Sequence, residues 1–175
     1  MNRTLVVLVD DRPGVLNRVA SLFRRRAFNI ESLTVGHTEM PGVSRMTIVV
    51  DTDETSIARL TAYLYKLVNV LHVEDVTQVP VVSRDMVMVK VELTPENRTT
   101  IMQLVDVFRA RIVDLSHQSI IAEVTGDDEK VEGFIEVLKP WGIIEMVRTG
   151  RVTMTRGMQS TFGSQDFETA FAAAD

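Results

Sequence analysis

Hydrophobic and polar positions along the chain follow two periods, one typical of strands and one typical of helices. Leu5–Val9 is a short, wholly apolar run, as expected for a buried strand. The next apolar residues are spaced as on the inward face of a helix, and they are Val15, Leu16, Val19, Ala20, Leu22 and Phe23. The pattern then predicts two antiparallel strands, Ile30–Val35 and Ser44–Val50, joined by a hairpin that contains proline and glycine.

The first half of the chain closes with another helix and another strand. The acidic stretch from Asp51 to Glu54 supplies helix N-cap residues. A helical stripe of apolar residues follows, formed by Ile57, Leu60, Tyr63, Leu64 and Leu67. Val70–Val79 is the last strand of this half. The order strand, helix, strand, strand, helix, strand is that of a ferredoxin-like unit.

The same order repeats after a short joint at Pro80 and Ser83. The strands predicted in the second half are Met86–Leu93, Arg111–Leu115, Ile120–Val124 and Ile143–Val147. The first helix of this half begins with Thr94 as N-cap, Pro95 as first helical residue and Glu96 in the first turn. The second helix, Asp127–Lys139, is stopped by Pro140. We therefore predict an α+β fold of two ferredoxin-like βαββαβ domains, at residues 1–79 and 83–157. A flexible tail at residues 158–175, with a short helix around Phe167–Ala173, follows.

Composition narrows the class of protein. The 175 residues suffice for two small domains, and the net charge of −5 argues against nucleic-acid binding. Residues 1–80 have nine basic and nine acidic residues, whereas residues 81–175 have ten and fifteen. The absence of cysteine excludes disulfides, thiol nucleophiles and thiolate metal sites. No apolar run approaches the roughly 20 residues of a membrane helix, and the first apolar run is too short for a signal peptide. We expect a cytoplasmic protein without a membrane partner.

The two halves differ at the turn between the first strand and the first helix. In the first half this turn is Asp10–Gly14, and Gly14 has no side chain to cover the backbone amides of Gly14, Val15 and Leu16. Bare amides at a helix start attract a carboxylate or phosphate. Asp10 and Asp11 could receive an ammonium group beside them, so the turn could hold a free α-amino acid. Taken alone, the stretch favours the plainer interpretation that Pro13 and Gly14 shape the turn and Asp11 caps the helix.

A resemblance to a known family favours the amino-acid site over the purely structural interpretation of this turn. The segments VDDRPGVLNRVASLFRRRAFNIESLTV, SRMTIVV and KLVNVLHVEDVT resemble the small, regulatory subunit of acetolactate synthase, and DRPGVL is typical of amino-acid-sensing ACT domains. The resemblance covers the chain to about Gly157. It implies a non-catalytic homodimer that binds the catalytic subunit, raises its activity and confers feedback inhibition by a branched-chain amino acid, usually valine. It also implies no cofactor in this chain, since thiamine diphosphate, magnesium and FAD belong to the catalytic subunit.

The resemblance also implies the position of the effector, between the ACT domains of two copies of the chain. The turn of one copy would contribute Asp11, Gly14, Val15 and Leu16, and the start of the second strand of the other copy would contribute Asn29 and Ile30. Many relatives have asparagine where this chain has Asp11. Compared with asparagine, the aspartate still accepts a hydrogen bond from an ammonium group, but it has no amide N–H to donate. Without the resemblance, Asn29 is explained as a residue that commonly follows a helix end.

Other residues offer weaker candidates for chemistry. His37, His72 and His117 lack the spacing of a metal site, the methionines mostly fill strand cores, and Trp141 is expected to pack. An acylphosphatase-like enzyme is one alternative, because Arg12 and Asn29 could serve its phosphate loop. An RNA-binding module of the same topology is another, but Leu5–Val9 and the Ser44–Val50 strand have no aromatic residue to stack on bases.

Overall fold

The computed structural model describes residues 1–157 of the chain. The contacts within this part divide it into two compact units. The first unit consists of residues 1–82 together with residues 151–157, and the second consists of residues 83–150. Each unit is a sheet with helices packed against it, so the predicted α+β fold with a repeated βαββαβ pattern is confirmed.

The first unit has four strands and two helices in the predicted order. In chain order they are β1 (Asn2–Asp10), α1 (Val15–Arg25), β2 (Ile30–His37), β3 (Val43–Asp51), α2 (Glu54–Leu64) and β4 (Val70–Asp75). The strand order across the sheet is β2-β3-β1-β4, and the recorded pairings are antiparallel. Both helices bury their apolar stripes against one face, where Phe23 and Leu60 are almost completely buried. This burial is the main driving force for folding the unit.

The register of β3 decides which parts of the first unit are neighbours. Its start lies at one end of the sheet, where Val43 pairs with Asp10 of β1. Its other end lies beside the start of β2, where Val50 pairs with Ile30. Val43 and Val50 are separated by roughly 23 Å at about 3.3 Å per strand residue. The start of α1 and the start of β2 therefore occupy opposite ends of the sheet.

The second unit repeats this arrangement. Its elements are β5 (Val81–Glu92), α3 (Arg98–Val107), β6 (Arg111–Leu115), β7 (Ser119–Gly126), α4 (Asp128–Leu138), a short 3-10 helix (Lys139–Trp141) and β8 (Ile143–Arg148). The strand order β6-β7-β5-β8 corresponds to that of the first sheet. The core is formed around Phe134 and Ile101, which are completely buried between the helices and the sheet.

The prediction that α3 begins at Pro95 with Glu96 in its first turn is wrong. The regular helix begins at Arg98 and has no acidic residue in its first turn. The preceding turn is held by a reciprocal pair of hydrogen bonds: the Thr94 N–H donates to Asn97 Oδ1 at 2.8 Å, and the Asn97 N–H donates to Thr94 Oγ1 at 3.3 Å. These bonds favour a tight turn before the helix becomes regular.

The first helix of each unit ends in the same way, on a residue with left-handed backbone conformation. After α1 this residue is Ala27, with φ of 58°, and after α3 it is Arg109, with φ of 51°. The Ala27 N–H donates to Arg24 O and the Phe28 N–H donates to Phe23 O, which is the hydrogen-bond pattern of a Schellman motif. After α3, the Arg109 N–H donates to Asp106 O and the Ala110 N–H donates to Val105 O, which is the same pattern. The repeat thus extends to the helix ends.

One strand of the structure, β9 (Val152–Thr155), is absent from the sequence prediction. It pairs with β5. Its segment also contacts the face of the first sheet that lies opposite the helices. The Arg151 N–H donates to Ser32 Oγ at 2.9 Å, and the Arg45 guanidinium donates to Thr153 O at 2.6 Å. Residues 151–157 therefore belong with the first unit, whereas the sequence prediction grouped them with residues 83–150.

Two further expectations concern membranes and the end of the chain. Among residues 1–157, each helix is too short or too polar to span a lipid bilayer. The predicted loose tail at residues 158–175 and its short helix around Phe167–Ala173 lie outside the described residues. The loose tail and its short helix remain predictions from the sequence.

Replacing Ala27 with glycine tests the left-handed end of α1. Because a side chain in this conformation costs about 1 kcal/mol, Ala27→Gly should raise the free energy of unfolding by up to about 1 kcal/mol. Urea unfolding of both proteins measures the change. Ala20→Gly, inside α1, is the matched control and should lower stability by about 1 kcal/mol. A loss of stability in Ala27→Gly would contradict the strain that its φ of 58° indicates.

Candidate functional site

Gly14 directly precedes the first residue of α1 and has a φ of 85°. This is the left-handed conformation that glycine adopts without steric cost. The residue is the N-cap of α1, but it provides no side-chain hydrogen bond, and the first turn of the helix has no acidic residue. A Cβ built on Gly14 would meet no atom within 4 Å, so the space beside the helix start is open.

Helices α2 and α4 have a side-chain N-cap, whereas α1 and α3 have no side-chain cap hydrogen bond. Asp53 caps α2 by accepting from the Ser56 N–H at 2.7 Å, and Asp127 caps α4 by accepting from the Lys130 N–H at 3.0 Å. In the turn before α3, hydrogen bonds from the Thr94 hydroxyl and from its own backbone amide lower the pKa of Glu96. The Glu96 carboxylate thus belongs to the residue directly before the N-cap of α3, whereas Asp11, the nearest carboxylate before α1, lies three residues before Gly14.

Two of the three amides predicted to be bare have no recorded acceptor within residues 1–157. These are the amides of Gly14 and Leu16, whereas the Val15 N–H donates to Arg12 O at 3.3 Å. The Asp11 N–H donates to Gly42 O at 2.8 Å, which ties the turn to the hairpin between β2 and β3. The helix start therefore presents two N–H groups, together with the positive end of the helix dipole, from a fixed turn.

The two carboxylates of the turn have different surroundings. Asp10 accepts from the Asn69 side-chain amide at 2.9 Å, so it is held inside the unit. Asp11 is more exposed and lies 3.2 Å from Nδ1 of His37, the last residue of β2. Sequence reasoning assigned His37 no role, because only the pairing of β2 with β3 brings it to the turn. Asp11 is the carboxylate of the pair that faces solvent and is open to a cation.

The remaining predicted residues, Asn29 and Ile30, lie just before and at the start of β2. Asn29 is exposed and its side-chain amide donates to the Glu31 carboxylate. Ile30 packs against the core of the first unit. Since Ile30 pairs with Val50, both residues are at the sheet end opposite Gly14. A single copy of the chain does not bring the two halves of the predicted site together.

No group of three or more His, Asp or Glu side chains in residues 1–157 is arranged to hold a metal ion. The amides at Gly14 and the Asp11 carboxylate form a different kind of surface. A donor of hydrogen bonds to anions lies beside an acceptor for cations, which suits a small zwitterion.

Comparison with known families gives two matches that together span most of the chain. Residues 5–72 match the family described as the AHAS small subunit-like ACT domain. Residues 84–157 match the family described as the small subunit of acetolactate synthase. The start of α1, Asp11 and Asn29 all lie within the first match.

Individual proteins agree with these matches over nearly their full length. The chain is 50% identical over 157 residues to the probable acetolactate synthase small subunit of Archaeoglobus fulgidus, covering 90% of this chain and 98% of the relative. It is 46% identical over 165 residues to the acetolactate synthase small subunit of Bacillus subtilis, covering 94% and 96%. The crystal structure of the acetolactate synthase small subunit from Thermotoga maritima superposes with a TM-score of 0.85, at 41% identity, covering 91% of this chain and 99% of that one.

Replacing Gly14 with alanine isolates the backbone requirement of the turn. The added methyl group meets no atom within 4 Å, so the cost comes from the φ of 85°. The free energy of unfolding should fall by about 1 kcal/mol. Gly36→Ala is the matched control, since Gly36 also has open space but no positive φ, and it should not lose stability. Equal effects of the two substitutions in urea unfolding would contradict the special geometry of Gly14.

Proposed function

The chain belongs to the family of acetolactate synthase small subunits, and from this premise we propose that it makes its catalytic subunit sensitive to a branched-chain amino acid. It is a regulatory subunit and not the catalytic one. The effector we propose first is valine. We also propose that the chain raises the activity of the catalytic subunit when the two associate. The observation that supports an amino-acid effector is the uncapped start of α1 at Gly14.

The bound amino acid would be oriented by its two charged groups. Its carboxylate would accept hydrogen bonds from the amides of Gly14 and Leu16, at the positive end of the dipole of α1. Its ammonium would lie toward the Asp11 carboxylate, which His37 now contacts at 3.2 Å. Selectivity among the branched-chain amino acids would then come from apolar residues that contact the side chain of the ligand. Ile30 is our candidate for part of that surface.

A homodimer is part of this proposal, because the two halves of the site are about a strand length apart in one copy. The start of β2 in a second copy, with Asn29 and Ile30, would complete the site beside Gly14 of the first. A ligand that bridges two copies binds best at one relative placement of the copies. It therefore shifts their equilibrium toward that placement, which is the physical basis for sensing.

The catalytic subunit is the second partner that we propose. The chemistry of acetolactate formation would reside there, along with thiamine diphosphate, magnesium and FAD. The present chain would supply no catalytic residue and no cofactor. Its contribution would be to alter the activity of the partner according to the state of its effector site.

Reconstitution tests the proposed function directly. The purified chain is added to its cognate catalytic subunit, and acetolactate formation from pyruvate is measured while valine, leucine and isoleucine are titrated in turn. We expect the chain to raise activity and one of the three amino acids to lower it again, with valine acting at the lowest concentration. Activity that neither rises with the chain nor responds to any of the three would refute the proposal.

Gly14→Asp in the same assay tests the anion position. Its carboxylate would lie near the free amides and repel the carboxylate of the effector, so inhibition by the amino acid should be abolished while activation persists. Gly157→Asp is the matched control, because it introduces the same charge at a glycine with φ of 82° and open surroundings. Full amino-acid sensitivity of the Gly14→Asp holoenzyme would rule out the proposed position of the ligand carboxylate.

A further inference from the structure

A cationic groove lies between the carboxyl-terminal ends of α1 and α2, on the helix side of the first unit. It has a volume of about 480 Å³. Its lining consists of Leu22, Arg25, Arg26, Tyr63, Lys66 and Leu67. The residues named for the amino-acid site do not line it. This groove is therefore a separate feature from the start of α1.

The three cations of the groove have no carboxylate partner within residues 1–157. The ion pairs recorded there involve other residues, and the guanidinium of Arg25 donates only to the backbone oxygen of Ser21, at 3.3 Å. Arg26 lies over the ring of Tyr63 at 3.9 Å from its centroid, and the Lys66 ammonium is 5.4 Å from the same centroid. Like charges held this close repel each other, and a bound anion would offset that repulsion.

Both walls of the groove are held in place by hydrogen bonds. On the α1 side, the Arg26 N–H donates to Leu22 O at 3.0 Å, next to the Schellman motif at Ala27. On the α2 side, the Tyr65 hydroxyl donates to Val73 O at 3.1 Å and accepts from the Val73 N–H at 3.0 Å. The backbones that carry Arg26 and Lys66 are thus fixed before any ligand arrives, which reduces the entropy cost of binding.

Interaction with the helix dipole accounts for only part of this arrangement. Arg24 and Arg25 are in the last turn of α1, where a cation is stabilised by the negative end of the dipole. The dipole of α2 likewise favours Lys66 just after its end, but neither dipole requires the cations of two helices to face the same concave space. Nor does either dipole explain the position of Arg26 over the half-buried ring of Tyr63. Convergence from two helices is the observation that points to a ligand.

We propose that this groove binds the polyphosphate group of a small metabolite. Guanidinium groups match phosphate oxygens in a bidentate manner, and a lysine adds a third charge without a fixed geometry. A single carboxylate would leave most of that charge uncompensated. Nucleic acid is a poorer candidate, because residues 1–80 have equal numbers of acidic and basic residues and one face of Tyr63 is already covered by Arg26.

Calorimetric titration of the full chain with inorganic triphosphate, at constant ionic strength, tests the proposal. A parallel titration with a nucleoside diphosphate tests whether the groove also binds a phosphate ester. A titration with citrate tests whether carboxylates of the same sign of charge bind equally well. We expect saturable binding of both phosphate compounds and weaker binding of citrate. Absence of triphosphate binding, or equal binding of citrate, would overturn the proposal, since the latter would indicate only nonspecific attraction of anions.

Substitutions locate the binding to the groove. Arg26→Gln combined with Lys66→Gln should weaken triphosphate binding at least about tenfold, because two of three charge-assisted contacts are lost. Arg59→Gln removes one charge from the exposed surface of α2 outside the groove and should change the affinity less than about twofold. If the double variant does not fold, Lys66→Gln alone is compared with Arg59→Gln. Equal affinities for those two variants would contradict the assignment.

Discussion

The pairing of β3 with both β1 and β2 is the constraint on which the account of this protein depends. It places the start of α1 beside Val43 and the start of β2 beside Val50, at opposite ends of one sheet. Residues from these two places cannot contact the same small ligand within one copy of the chain. A ligand that contacts both must therefore join two copies, which turns a binding event into a change in how the copies associate.

The second unit serves as an internal comparison for the first. The two share strand order and the Schellman end of the first helix, with Ala27 and Arg109 in left-handed conformation. They differ where the first helix begins: α3 begins after Asn97 in right-handed conformation, whereas α1 begins after Gly14 in left-handed conformation with open space beside it. The glycine turn before the first helix is therefore a feature of the first unit that the second unit does not share. Family membership also sets aside the acylphosphatase-like and RNA-binding alternatives.

Local sequence signals predicted the fold well, because apolar periodicity and capping residues act over a few positions. Asp127 before α4 is one such residue. Contacts between residues far apart in the sequence could not be predicted from these local signals. The contact of Asp11 with His37 depends on strand register, and β9 is too short to show a period and is held partly by Arg45. For the candidate site, the glycine turn was visible in the sequence, but the use of the Val15 amide by Arg12 was not. The position of this turn at one end of the sheet could be known only from the pairing of β3.

A mixed dimer provides the most direct test of a site shared between two copies. One chain carries Gly14→Asp and the other Asn29→Ala, each with a different affinity tag, and the purified heterodimer is titrated with the effector amino acid in a calorimeter. If each site combines the turn of one copy with the β2 start of the other, the heterodimer has one intact site. It should then bind one ligand per dimer at the unmodified affinity, although both homodimers are defective. A heterodimer as defective as the two homodimers would contradict the shared site.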